Sequence, residues 1–191
     1  MRRRLLTLAG RTEGSALLEF AIVLPLLVVF VVGIYDFSGA YNQKQKIEHA
    51  AQAGAIVAGA QPTNDMDSAI AKPDSLQPVL VVIFNSLFAN SVLSIVDPAS
   101  CTPYAATVVA HAGLSWTYRI SGCSNIANTD LLITIDRGVV AAGVPGMVST
   151  SVTVRYPYHW RFNSAIQLLF PGSSYAATTD LHETAIVHNQ T

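Results

Sequence analysis

The chain has 191 residues, 51% of them hydrophobic and 12% charged, with a mean hydropathy of +0.39 and a formal net charge of −1. A composition this apolar for its size calls for a segment that meets lipid. Losing the first fourteen residues would remove four arginines and Glu13 and take the net charge from −1 to −4, which excludes binding dominated by nucleic-acid phosphates.

The first element follows a short basic leader. Between Ser15 and Tyr35 the only charged side chain is Glu19, and as a helix this stretch spans roughly 30 Å, the thickness of one hydrocarbon core. Arg2, Arg3, Arg4 and Arg11 precede it and only Lys44 and Lys46 follow soon after, so the N-terminus is expected to stay cytoplasmic and the remainder to be exported. The helical pattern continues to Gly59 and Pro62, predicting one helix from about Ser15 to Ala60. Its first half is apolar all round, for lipid or a helix bundle, and its second half is mixed, for one face of a folded domain. Pro25 removes a backbone donor and is expected to kink or loosen the span. Ala50, Gly54 and Ala58 recur every four residues, beside Ala51, Ala55 and Gly59. These small faces would permit close backbone approach, unless they simply reflect helix propensity.

Residues 61–74 are polar, with two prolines, and read as a loop. The run from Pro78 to Phe88 is too short to cross a bilayer and suits a buried short helix or other core element. From Ala106 onward the period becomes two. Leu114, Trp116, Tyr118 and Ile120 alternate with polar residues, as do Leu131, Ile133 and Ile135, and then Val148, Val152, Val154, Tyr156, Tyr158, Trp160 and Phe162. Each pattern is that of a half-buried strand. Residues 162–172 read as a short helix stopped by Pro171, and the stretch from Ser174 to His188 as a closing strand. The predicted fold class is therefore α+β, with an antiparallel sheet covered on its apolar face by the second half of the long helix.

The histidines and glycines form no catalytic or metal signature. His182 and His188 flank Glu183 but lie six apart, which on a strand is roughly 20 Å, too far for shared coordination. His49 lies on the long helix, and His111 and His159 have no carboxylate or cysteine nearby in sequence; all three suit surface or capping roles. No GxSxG and no glycine-rich phosphate loop occurs. Neither a catalytic residue nor a cofactor is expected. The rings and arginines of "RYPYHWRF" could stack a sugar or base, but their parity with Val152 and Val154 favours core packing. Cys101 and Cys123, the only cysteines, are expected to pair in an exported domain. Closing that loop would stabilise it by about 3 kcal/mol on the chain-entropy view.

The leader, Gly14 and Glu19 form one pattern. "GSALLEF" resembles a type IV prepilin processing site, and with "FAIVLPLLVVFVVGIYDFSGAYNQKQKIEHAAQAGA" it resembles the TadE-like pseudopilins of the Tad (Flp) pilus system over about the first 60 residues. TadF- and TadG-like relatives share this layout, and Glu19-Phe20 stands where Flp major pilins more usually carry Glu-Tyr. The resemblance implies a pilin-like fold divided into a leader (1–14), a transmembrane segment (15–35), an amphipathic continuation (36–60) and an exported domain (61–191). It implies cleavage between Gly14 and Ser15 by a prepilin peptidase. Glu19 would then pair with the freed α-amine of a neighbouring subunit, two charges each costly alone in an apolar setting. The implied partners are major and minor pilin subunits, the inner-membrane assembly platform and membrane lipid. The implied location is the inner membrane with a periplasmic domain, and after assembly the extracellular pilus. The competing expectation is an ordinary signal peptide cut after Ser38-Gly39-Ala40, releasing a secreted or periplasmic binding or hydrolytic domain. Glu19 and Pro25 within an overlong apolar region oppose it.

Overall fold

A sequence apolar in its first half and mixed in its second builds a single helix, α1 (Arg11–Ala60), in a computed structural model that describes residues 11–66, 72–126, 129–140, 148–161, 172 and 178–190. The helix is continuous through Pro25. It ends just after Gly59, where Gln61 N donates to the Ala58 carbonyl (3.2 Å) and Pro62 prevents further propagation. The chain divides into two units, Met1–Ser38 with Trp160–Ala177, and Gly39–His159 with Thr178–Thr191.

In the first unit the apolar side chains of α1 face outward. Leu17, Phe20, Ile22 and Ile34 are all more than 60% exposed. Trp160, just past the last residue of the preceding strand, sets its ring edge-on to Phe37 with centroids 5.2 Å apart.

The second unit is an α+β domain. A 3-10 turn (Asp74–Leu76) leads into α2 (Gln77–Ala89), where Pro78 occupies the first turn, a position that needs no backbone donor. Five strands follow: β1 (Thr107–Ala112), β2 (Ser115–Ile120), β3 (Leu131–Val140), β4 (Val148–His159) and β5 (Thr178–His188). They pair antiparallel in the order β1-β2-β3-β4-β5. Sequence-adjacent strands pair as antiparallel neighbours, the tightest connection being the turn between β1 and β2. Gly113 at φ +59° supplies the left-handed residue of the β1–β2 turn. Strand β1 has no strict alternation and is interrupted by a bulge between Val108 and Ala110, which hid it from a period-two reading. A second bulge lies between Asp136 and Val139 of β3.

Side chains of one parity, among them Trp116, Tyr118, Ile133, Ile135, Val152 and Val154, are fully buried. Ile47, Ala50, Ala51, Ala55 and Ala58 of α1 join them in the core, with Leu80, Ile83 and Leu87 of α2. The second half of the long helix thus packs on the five-stranded sheet. At Gly54 a β-carbon would stand 2.5 Å from Ile83 Cγ1. Only glycine lets α1 and α2 approach that closely. The strand pattern needs one correction at its start. Val148 is 46% exposed, whereas Ser149 and Thr150 are buried, because Ser149 Oγ meets His188 Nδ1 (3.0 Å) and Thr150 Oγ1 donates to Asn189 Oδ1 (2.5 Å). At its far end Tyr156 is buried, Tyr158 half-buried, and Trp160 lies beyond β4. The helix expected over 162–172 and the first residues of the expected closing strand lie outside the described residues, apart from Gly172.

Candidate functional site

Helix α1 carries Gly14, Ser15, Glu19 and Phe20 on its exposed first half. Ser15 and Glu19 are four positions apart and share a face one turn apart. Glu19 makes no ion pair among the described residues. An added β-carbon at Gly14 would meet nothing within 4 Å. The contrast with Gly54 is informative, because no packing among the described residues demands glycine at position 14. The 18-residue window of highest hydropathy in α1 averages 2.8 and is 0% buried. This is one helix long and apolar enough to cross a membrane.

The second half of the same helix is held differently. Lys44 Nζ lies 3.0 Å from Glu183 Oε1 on β5, and this hydrogen-bonded pair raises the Lys44 pKa. Lys46 Nζ donates to the Asn90 carbonyl (3.0 Å). The two lysines counted in sequence as flanking charges therefore also tie the helix to its domain. Gly39 faces the Tyr158 hydroxyl, 2.8 Å from where a β-carbon would stand, and Ala40 is buried. The candidate signal-peptide site Ser38-Gly39-Ala40 thus lies inside an unbroken helix, unlike the extended segment a signal peptidase cuts.

Cys101 and Cys123 form a disulfide with Cα atoms 5.0 Å apart. Its surroundings are closed by hydrogen bonds. Tyr156 Oη donates to the Cys123 carbonyl (2.7 Å) and accepts from Ser94 N (2.9 Å). Burial raises the Tyr156 pKa, keeping the hydroxyl a donor. Asp97 accepts from Ser100 Oγ (2.6 Å) and Ala99 N (3.0 Å), bonds that lower its pKa.

One buried polar group escaped the sequence reading. Arg137 is 1% exposed and continues the parity of Leu131, Ile133 and Ile135, the signal that could have found it. Its Nη2 donates to the Gln61 carbonyl (3.0 Å) at the end of α1, a helix with no basic residue in its last turn. A strand thereby supplies the cation that the helix C-terminus favours. Burial lowers the Arg137 pKa against an opposing effect of Asp65. Burial also pushes the Tyr118 pKa up, and Asp65 adds to the rise. For Asp65 itself burial works upward, but hydrogen bonds from Ser75, with Ser75 N at 2.7 Å, outweigh it and hold the carboxyl below its usual range.

The histidines are dispersed. His111 stacks on Trp116 with centroids 4.9 Å apart, His188 bonds Ser149, and His49, His159 and His182 are exposed. No group of three or more His, Cys, Asp or Glu side chains that could hold a metal occurs among the described residues.

Neither a curated protein nor a solved structure matches the chain. Residues 14–55, from Gly14 to the part of α1 buried on the sheet, match a family model described as TadE-like protein. The exposed apolar helix with its single early glutamate therefore lies within the stretch, residues 14–55, over which the chain is similar to the TadE-like family.

Proposed function

We propose that the protein is a minor pilin or pseudopilin of a Tad-type type IV pilus, processed after Gly14 and incorporated through its N-terminal helix. In this reading residues 1–14 are the leader, 15–35 the transmembrane segment, 36–60 its amphipathic continuation and 61–191 the exported domain. The observation that carries it is the TadE-like match over residues 14–55, on a helix whose apolar half is uncovered. Cleavage frees the Ser15 α-amine, with a reference pKa near 8. In a bundle of apolar helices that cation requires an anion. Glu19 of a neighbouring subunit supplies it, each charge offsetting the desolvation of the other. The protein has no catalytic role of its own. It acts by contact with major and minor pilins, a prepilin peptidase, the inner-membrane assembly platform and lipid, first with a periplasmic domain and then within an extracellular filament.

Sequencing the N-terminus of the protein purified from cells that carry the cognate prepilin peptidase tests this. Ser15 as the first residue is the expected result. Tyr41 would identify a secreted domain, and an intact leader would remove the processing step on which assembly depends.

A further inference from the structure

The sheet has a second face, turned away from α1 and α2, and it is polar. Thr117, Thr134, Thr153 and Thr184 stand opposite one another on four successive strands. At about 4.8 Å between strands they form a hydroxyl row roughly 14 Å long. Thr117 Oγ1 and Thr134 Oγ1 are 2.9 Å apart, and Thr153 Oγ1 and Thr184 Oγ1 2.7 Å. In each pair one O–H is engaged, leaving the other O–H to donate and lone pairs to accept. A second row, two residues along, places Arg119, Leu132, Arg155 and His182 in register. A hollow of about 570 Å³ is lined by Thr117, Thr134 and Thr153 of the first row and Leu132, Arg155 and His182 of the second, and beside it a second of about 340 Å³ shares Leu132, Arg155 and Asp180. The arginines remain about half exposed, at 49% and 52%.

We infer that this face binds a neutral, hydroxyl-rich ligand of the size of a short oligosaccharide. Charge selects the class. Arg119 faces Asp130 at 3.6 Å, and Arg155 donates through both Nε and Nη2 to Asp180 Oδ2. The two guanidinium charges are thus matched by two carboxylates, and an anionic or cationic ligand would meet a like charge beside each attractive one. A saccharide hydroxyl is both donor and acceptor. It can accept from a threonine or guanidinium and donate to the carboxylate oxygen that the ion pair leaves uncommitted. Leu132, between the two arginines, offers an apolar spot for the C–H face of a ring. A hollow of this volume lies within the range of small-molecule sites. The inference does not depend on processing at Gly14 or on assembly.

Saturation-transfer NMR and calorimetry on the full chain in phosphatidylcholine nanodiscs, titrated with cellotriose, maltotriose and chitotriose, test the site. At least one of these neutral sugars is expected to bind in the millimolar range or tighter. The double variant Thr134→Val, Thr153→Val keeps side-chain shape on a partly exposed face and should weaken that binding about tenfold, while His49→Gln on α1 leaves it unchanged. Absence of binding by all three sugars, equal binding by the double variant, or binding of heparin oligosaccharides or an extended peptide in preference to the neutral sugars would each overturn it. A circular dichroism melt of the double variant accompanies the titration. If that variant does not fold, Arg155→Gln takes its place under the same criteria.

Discussion

Glu19 and Gly14 have no partner within the described structure that explains them. A charge near the centre of a membrane helix costs about 2.5–3.5 kcal/mol on insertion scales, and Glu19 is exposed in the opening turns of a helix long and apolar enough to cross a membrane. Glu19→Gln keeps size and helix propensity but removes the charge. On the proposed function, cleavage and membrane insertion are unchanged, whereas co-purification with other pilin subunits falls at least tenfold, because truncating one member of a desolvated pair leaves the other uncompensated. A mutant that recruits partners at the wild-type level would remove Glu19 from the assembly step. At Gly14 the space around the α-carbon is open, so Gly14→Leu should leave the domain's melting temperature unaltered. The same substitution should block processing, read as retention of the leader by mass spectrometry when the protein is co-expressed with a prepilin peptidase.

The helix and the sheet meet at Gly54, and the opposite result is expected there. Gly54→Leu improves helix propensity, yet its side chain must displace Ile83, whose Cγ1 lies 2.5 Å from the added β-carbon position. Overpacking of this kind costs about 1–3 kcal/mol, so urea unfolding of the purified full chain in detergent should show a lower midpoint than wild type. The segment between α2 and β1 is tied to the turn after β2 by the Cys101–Cys123 disulfide and the Tyr156 hydrogen bonds. Cys101→Ser should lower domain stability by about 3 kcal/mol without changing the membrane-bound fraction. Two thiols that label freely in native, unreduced protein would contradict the bridge.

At the scale of the whole molecule the two halves of α1 answer to different solvents. Residues such as Leu17, Phe20 and Ile34 are exposed and, on the proposed function, face lipid or other apolar helices, while Ile47, Ala51 and Ala58 are enclosed by the chain's own strands and by α2. After alkaline carbonate extraction of membranes the full chain is expected in the pellet, since a helix of this length and hydropathy inserts effectively irreversibly. Recovery in the supernatant would show that the exposed stripe is covered by protein rather than lipid.

Local chemistry was enough to reveal the long helix, its apolar first half, most strands and the α+β class. Those features depend on periodicity, on breakers such as Gly59 and Pro62, and on uninterrupted hydropathy, all of which are properties of neighbouring residues. The Gly14 to Glu19 pattern was legible for the same reason, being confined to six consecutive positions. Tertiary structure decided what depends on distant partners. It turned the paired small faces of α1 inward, set Gly54 against Ile83, and hid β1 behind a bulge that breaks the two-residue period. It also drew Arg137 from a strand to the end of a helix 76 residues earlier in the chain. The threonine row across β2 to β5 exists only because strand pairing places Thr117, Thr134, Thr153 and Thr184 in one register. That register is fixed by the burial of their neighbours on the opposite face.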